Sequence, residues 1–334
     1  MQLLYLFEKI RNPVFDAFFS FITLFGEETA FLVVAIAFFW CVSKRQGYFI
    51  LISGFFGTLI NQFMKLLFKV PRPWVIDKNF TIVESAREAA TGYSFPSGHT
   101  QSAVSTFGAV FMKAKNQWVK YLALAVAILV PISRMYLGVH TPWDVLAAIA
   151  TAVIILVLLD PLFSDEKLFR RSMPFIILAV MALAVGFYVY AVVINGDNTD
   201  PNYVSAAKNA RTFMGCTLAL APIYALDRFV IHFKTDAKWY AQILKLAIGL
   251  GIVLLIKSVL KSPLEALLGV NERIVRYFLI VIFAGGVWPL TFGLFSKMRI
   301  APLDKFWDFL VSKLSSRNNQ SPEESTEKET NSEN

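Results

Sequence analysis

Charge, cysteine and histidine are all scarce in this chain. Of its 334 residues, 17% are Asp, Glu, Lys or Arg, two are cysteine and three are histidine. So little charge beside 56% apolar residues and 31 phenylalanines excludes an ordinary soluble globule. It describes a polytopic membrane protein, an all-α bundle of helices in lipid. Cys41 and Cys216 fall within apolar stretches, where a thiol acts as a small apolar side chain, so no disulfide, metal site or other cofactor is expected. Nor is there a run of Lys and Arg with interleaved aromatics. The net charge of +8 and pI near 9.4 therefore point to basic loops flanking membrane spans and not to nucleic-acid binding. Residues 1–11 contain Lys9 and Arg11 but no apolar run followed by a small-residue cleavage site, so no removable signal peptide is expected.

Apolar residues recur at helical spacing from 12 to 25, too short a stretch to cross a bilayer comfortably, which predicts an interfacial or re-entrant helix. Nine crossings are expected after it, at about residues 27–43, 47–68, 99–112, 118–135, 143–159, 173–195, 204–227, 239–259 and 275–296. Residues 301–314 set Phe306, Trp307, Phe309, Leu310 and Leu314 among Asp304, Lys305, Asp308 and Lys313, predicting an interfacial helix. The Ser-, Asn- and Glu-rich residues 315–334 are expected to be a disordered polar tail. The loops containing Lys44, Arg45, Lys113, Lys115, Lys167, Arg170, Arg171, Arg228, Lys234 and Lys297 are richer in cations than those on the other side. The first set, with the C-terminus, is expected to be cytoplasmic in the cell membrane.

Three polar clusters interrupt the apolar background: Lys65 with Arg72-Pro73, then Pro96-Ser97-Gly98-His99, then Ser133-Arg134 with His140 and Asp144. All three fall at the expected extracytoplasmic ends of spans. Cations and histidines beside long hydrophobic runs are costly unless they pair or line a polar cavity. A phosphate monoester carries close to two negative charges, and the transition state of its transfer needs donors for three equatorial oxygens. Lys65, Arg72 and Arg134 supply cations, and Arg suits bidentate contact. Ser97 and Gly98 precede a span whose first amides form an anion site. With Asp144 accepting from one nitrogen of His140, the other is free to attack phosphorus, and His99 would protonate the leaving oxygen from the opposite side. This chemistry requires no metal. Taken singly, Lys65 or Lys69 could snorkel, Arg134 could anchor a helix end, either histidine could be a satisfied polar residue and Asp144 could cap its helix. The joint pattern on one membrane face argues against coincidence.

The three clusters also make the chain similar to the type 2 phosphatidic acid phosphatase (PAP2) superfamily. That signature reads Lys, six residues, Arg-Pro; then Pro-Ser-Gly-His; then Ser-Arg, five residues, His, three residues, Asp. Here it is complete, from Lys65 to Asp144, and the resemblance covers roughly residues 10–160. It implies a PAP2-like core of about five spans with an N-terminal interfacial helix, within residues 1–165, followed by about four further transmembrane helices within 166–300. It also implies a phosphohistidine on His140, His99 as general acid, Asp144 as partner of His140, and a phosphate cradle of Lys65, Arg72, Ser97, Gly98 and Arg134. The extended layout resembles glucose-6-phosphatase and long-chain-base phosphate phosphatases.

The expected activity is hydrolysis of a membrane lipid phosphate or diphosphate, of the phosphatidate, long-chain-base phosphate or polyprenyl diphosphate type. Its alternatives are a soluble sugar phosphate as substrate, transfer of the phosphoryl group to another acceptor, or transport of a phosphorylated solute through the same basic pocket. The loop from 74 to 95 is expected to cap the site and contribute headgroup selectivity. Lys208, Arg211, Lys245 and Lys257 in the later spans could line a second polar path, although snorkelling or pairing explains each alone.

Overall fold

The computed structural model describes residues 1–88, 90–197 and 199–305, which contain helices and no strand. Most of the expected interfacial helix at 301–314, and all of the polar tail, lie outside the described residues; residues 301–305 are helical. The chain forms α1 (Gln2–Lys9), α2 (Pro13–Thr23), α3 (Glu28–Ala37), α4 (Lys44–Phe68), α5 (Pro73–Ile76), α6 (Gly98–Lys113) and α7 (Gln117–Tyr136). These are followed by α8 (Pro142–Leu159), α9 (Glu166–Tyr188), α10 (Pro201–Leu226), α11 (Trp239–Val259), α12 (Lys261–Leu268), α13 (Glu272–Ile282) and α14 (Phe292–Lys297).

Local sequence explains where these helices begin. Asn12, Thr141 and Asp200 each precede a proline at the first helical position and accept hydrogen bonds from early amides, at the starts of α2, α8 and α10. Asn116 and Asp165 cap α7 and α9 in the same way. At α8, Asp144 completes a capping box with Thr141, so the carboxylate singled out in the sequence is also a helix-start signal. Helix α4 stops at Lys69, which adopts a left-handed conformation with φ 50°.

By length and apolarity alone, fewer helical stretches qualify than the nine expected crossings. Six helical stretches among the described residues are long and apolar enough to span a membrane, and a seventh is gained if the bent pair Pro13–Gly26 and Glu28–Val42, kinked by 55°, acts as one. Three differences account for the discrepancy. The expected span 27–43 is half of that bent pair, which links it to the helix expected to be interfacial or re-entrant. Residues 99–112 lie in α6, only 16 residues long and polar at its start. Spans 239–259 and 275–296 fall within one helical stretch, Trp239–Lys297. That stretch folds back on itself, because the Tyr240 hydroxyl accepts from the amide of Ile300 at 3.1 Å and donates to the carbonyl of Met298.

Helix α4 is central. It packs against α6 and α8 on one side and against α9 on the other, while α10 packs chiefly on α13 and α9. One buried apolar cluster runs through both groups, including Phe49, Phe55 and Leu59 of α4, Leu156 of α8, Phe187 of α9, and Phe213 and Leu220 of α10. A second cluster of Trp40, Phe233, Tyr240, Trp288 and Phe292 ties α11 and α14 to the residues that follow α3. Within it, buried Lys245 donates to the carbonyls of Trp40 (2.8 Å) and Thr235 (3.3 Å) and lies over the Phe292 ring at 4.3 Å. Its ammonium therefore serves helix packing. Arg211 donates to Asn271 and to the carbonyl of Ala207, and Lys257 is exposed, so the four cations of the later spans do not line a common path.

Candidate active site

The C-terminal ends of α4 and α7 and the N-terminal ends of α6 and α8 meet at one end of the bundle, bringing the three sequence clusters together. Lys65 lies in the last turn of α4, Arg72 at the start of α5, Ser97 at the cap of α6, Arg134 in the last turn of α7, and His140 just before α8. Arg134 is fully buried, and His140 and Asp144 are each 1% exposed.

His140 is held from both sides. Arg72 Nη1 lies 2.9 Å from His140 Nε2. A guanidinium can only donate, so Nε2 accepts and the ring proton belongs on Nδ1. Nδ1 faces Ser94 Oγ at 3.5 Å and Asp144 Oδ2 at 3.6 Å. The second distance exceeds a hydrogen bond, so Asp144 does not accept directly from His140 as the sequence suggested. Ser94 stands between them and donates to Asp144 Oδ2 at 2.6 Å, while the Thr141 amide donates to the same oxygen at 2.7 Å. Burial, reinforced by the charges of Arg72, Arg134 and Lys65, pushes the His140 imidazole well below its ordinary pKa, which keeps it neutral.

The cations start from different states. Arg72 donates to the carbonyls of Gly92 (3.1 Å), Thr91 (2.7 Å) and Val139 (3.0 Å) as well as to His140. Lys65 Nζ donates to the carbonyl of Tyr93 at 2.5 Å. The segment 91–93 is thus a strap across both side chains, bent at Gly92 where φ is 72°. Arg134 by contrast makes one bond, from Nη1 to Thr23 Oγ1 at 2.6 Å, and its Nε and Nη2 are buried without a partner. His99 Nε2 is also buried and unpartnered. Each unsatisfied buried donor costs about 1–3 kcal/mol, more when charged, so these atoms favour an anion with several acceptor oxygens.

Ser97 has a narrower role than the sequence suggested. Its amide donates to the carbonyl of Asp144 at 3.0 Å and its hydroxyl accepts from the Thr100 amide, leaving the amides of Gly98 and His99 at the open end of α6. Sequence reasoning missed Thr23, Ser94 and the three strap carbonyls. Thr23 was detectable as a hydroxyl on an apolar helix; backbone carbonyls leave no sequence signal. Among the described residues, no group of three or more His, Cys, Asp or Glu is placed to hold a metal ion.

A profile of the PAP2 superfamily matches residues 46–168, and one described as the PAP2 superfamily phosphatase transmembrane extension matches residues 211–301. The undecaprenyl-diphosphatase BcrC of Bacillus subtilis (strain 168) is 31% identical over 147 residues, covering 43% of this chain and 73% of that protein. The chain belongs to the PAP2 superfamily. It is accordingly a multi-pass membrane protein and a phosphoric ester hydrolase. Phosphatidylglycerophosphatase B of the same bacterium is 27% identical over 176 residues, 49% of this chain and 82% of that protein. Sphingosine-1-phosphate phosphatase 1 of Mus musculus is 20% identical over 269 residues, 76% of this chain, and the alignment spans 61% of that protein's length. No solved structure matches the chain significantly.

Proposed function

We propose that the chain hydrolyses a lipid phosphate or diphosphate at the extracytoplasmic surface of the membrane through a phosphohistidine on His140. The observation that carries this reading is the protonation pattern at His140. Nδ1–H is directed at Ser94 and Asp144, and Nε2 keeps its lone pair, beside a pocket with unused donors on Arg134. Nε2 attacks phosphorus as the bond from phosphorus to the leaving oxygen breaks, and His99 gives a ring proton to that oxygen. Asp144, reached through Ser94, stabilises the positive charge on His140. Water then attacks the phosphohistidine, the P–N bond breaks, and His99 recovers a proton from the water. Arg134, Arg72, Lys65 and the amides of Gly98 and His99 neutralise the equatorial oxygens throughout.

Lipid is favoured over a soluble ester because the pocket lies at the ends of membrane-length helices, where an acyl or prenyl tail can stay in the bilayer while its phosphate enters. The curated relatives named above act on phosphorylated lipids by their own descriptions. The excess of Lys and Arg in the loops at the opposite ends of the spans supports this orientation. We further treat residues 1–165 as the catalytic core and 166–300 as an appended helical layer, with the loop 74–95 as the cap over the site.

The test is phosphate release by the purified protein, with a chelator present, on phosphatidate, a long-chain-base phosphate, undecaprenyl diphosphate and glucose 6-phosphate. Wild type should release phosphate from at least one lipid, and His140→Ala should lose at least about a thousandfold of that rate. An acid-labile phosphoryl adduct should be trapped on wild type and absent from the variant. Preference for glucose 6-phosphate would overturn the lipid reading; turnover surviving in His140→Ala would overturn the mechanism.

A further inference from the structure

The turn that carries His140 is gripped by residues distant from it in sequence. Between the end of α7 and the start of α8 the Val139 amide donates to the carbonyl of Arg134 at 3.1 Å, and Gly138 adopts a left-handed conformation with φ 81°. Carbonyls of this turn accept from three different elements. Tyr136 accepts from Arg11 Nε at 3.1 Å, Leu137 from the Val83 amide at 3.1 Å and Val139 from Arg72 Nη1 at 3.0 Å. Arg72 belongs to the phosphate cradle and Val83 to the loop 74–95. Arg11, between α1 and α2, takes no part in the chemistry above.

Arg11 clamps this turn to its neighbour. Its Nη1 donates to the carbonyl of Thr81 at 2.8 Å and lies 3.2 Å from the Thr81 hydroxyl, and its guanidinium stands 5.3 Å from the centre of the Phe80 ring. A Cβ at Gly138 would come within 2.7 Å of Arg11 Nη2, so the guanidinium rests against the one residue of the turn that has no side chain. Tyr136 is held at its other end as well. It is fully buried, its hydroxyl donates to Asp16 Oδ1 of α2 at 2.7 Å, and its ring packs on Phe19 with centroids 4.3 Å apart. A buried aromatic fixed at carbonyl, ring and hydroxyl leaves the backbone beside it little freedom. Tyr136 lies two residues after Arg134 and four before His140.

Resting on the phosphatase reading, we propose that Arg11 and Asp16 are positioning residues for that reaction: by fixing Tyr136 and Gly138 they set the placement of His140 Nε2 toward phosphorus. The N-terminal segment then acts on the nucleophile and not on phosphate capture. Arg134 is held separately by Thr23, so it keeps its place when Arg11 is lost. The turn, left with Val83 and Arg72 alone, lets His140 shift, and a nucleophile displaced by about 1 Å can lose about a hundredfold in rate.

The experiment measures phosphate release from the lipid preferred in the assay above, using the full-length purified protein, with inorganic phosphate as a competitive inhibitor. Wild type, Arg11→Ala, Arg11→Lys, Asp16→Ala and Lys9→Ala are compared, with His140→Ala as the blank. Arg11→Ala should lower kcat about 10- to 100-fold, while KM and the inhibition constant of phosphate stay within about threefold. Arg11→Lys, which keeps the charge but lacks the fork that bridges Tyr136 and Thr81, should recover part of kcat. Asp16→Ala should lower kcat about threefold at unchanged KM, and Lys9→Ala, the loss of an exposed neighbouring cation, should match wild type. Phosphate inhibition at the wild-type constant reports that a variant is folded. A kcat within about twofold of wild type in a folded Arg11→Ala enzyme, or a loss carried by KM and the phosphate constant, would overturn the positioning role and leave the phosphatase reading standing. If Arg11→Ala no longer binds phosphate, Asp16→Ala decides, and wild-type kcat there would overturn the role. Wild-type release no faster than the His140→Ala blank would overturn both.

Discussion

Ser94→Ala should slow the chemical step by about one to two orders of magnitude while hardly changing substrate affinity. Ser94 is fully buried and donates its hydroxyl hydrogen to Asp144 Oδ2 at 2.6 Å, with its oxygen 3.5 Å from His140 Nδ1. Asp144 itself is 3.6 Å from that nitrogen, so the hydroxyl provides the nearer contact between carboxylate and imidazole. Removing it takes away one hydrogen bond to a charged group, worth about 1.5–3 kcal/mol, and leaves the ring freer to turn. At 1.36 kcal/mol per tenfold, kcat falls about 10- to 150-fold. KM should move less than about threefold, because Ser94 is not part of the phosphate cradle. The assay is steady-state phosphate release on the preferred lipid, paired with a double-mutant cycle. If Ser94 acts through Asp144, adding Ser94→Ala to Asp144→Asn should cost little beyond the single Asp144→Asn change. A Ser94→Ala enzyme within about twofold of wild type, or losses that multiply in the double variant, would refute the reasoning.

Three further outcomes follow from the same geometry. Thr23→Val removes the oxygen that holds Arg134 Nη1 and should raise KM about tenfold with a smaller change in kcat, measured on the same substrate. A Cβ at Gly26 would stand 2.9 Å from both the backbone oxygen and the Cβ of His99, so Gly26→Ala should displace the start of α6, destabilise the protein by about 1–3 kcal/mol and reduce kcat, read by thermal unfolding and turnover. Because burial and nearby cations lower the pKa of His140 from its ordinary 6.5, the imidazole stays neutral as pH falls through that value. Corrected for substrate ionisation, the acid limb of kcat/KM should lie below pH 6.5, and a limb at or above it would count against a depressed nucleophile.

The eight residues expected to form the site stand out in the sequence because burying cations and histidines at the ends of apolar runs is expensive, and the structure brings them together because both internal spacings are fixed by helix ends. Lys65 and Arg72 bracket the stop of α4, and His140 and Asp144 bracket the start of α8. The helix starts at Asn12, Asn116, Thr141 and Asp200 rest on equally local capping chemistry. What remained hidden depends on chain crossings. Thr23 meets Arg134 across 111 residues and Ser94 meets Asp144 across 50, distances over which no local pattern operates. Length and apolarity alone do not fix the crossings, for a related reason. Hydropathy registers an apolar stretch, but whether 27–43 continues a bent helix, or 239–297 turns back, is decided by contacts such as that between Tyr240 and Ile300.

The site's two arginines meet a phosphate on different terms. Arg134 has two free buried donors, so phosphate oxygens satisfy it without displacing any internal bond. Arg72 already donates to three carbonyls and to His140, so each phosphate contact there exchanges one acceptor for another. Such an exchange yields little net energy, since a typical hydrogen bond contributes about 0.5–1.5 kcal/mol after its competitor is counted. Arg134 therefore contributes more to capture, and Arg72 more to positioning, because its Nη1 touches Nε2 of His140, the proposed nucleophile. The exchange also ties the appended helices to the chemistry. Two of the three carbonyls on Arg72, and the one on Lys65, belong to the strap, and Tyr93 of the strap donates its hydroxyl to Asp200 at the cap of α10. A shift of α10 that moved Tyr93 would alter the acceptors competing with phosphate for Arg72 and Lys65. The later helices thus bear on the catalytic end through one short segment of backbone.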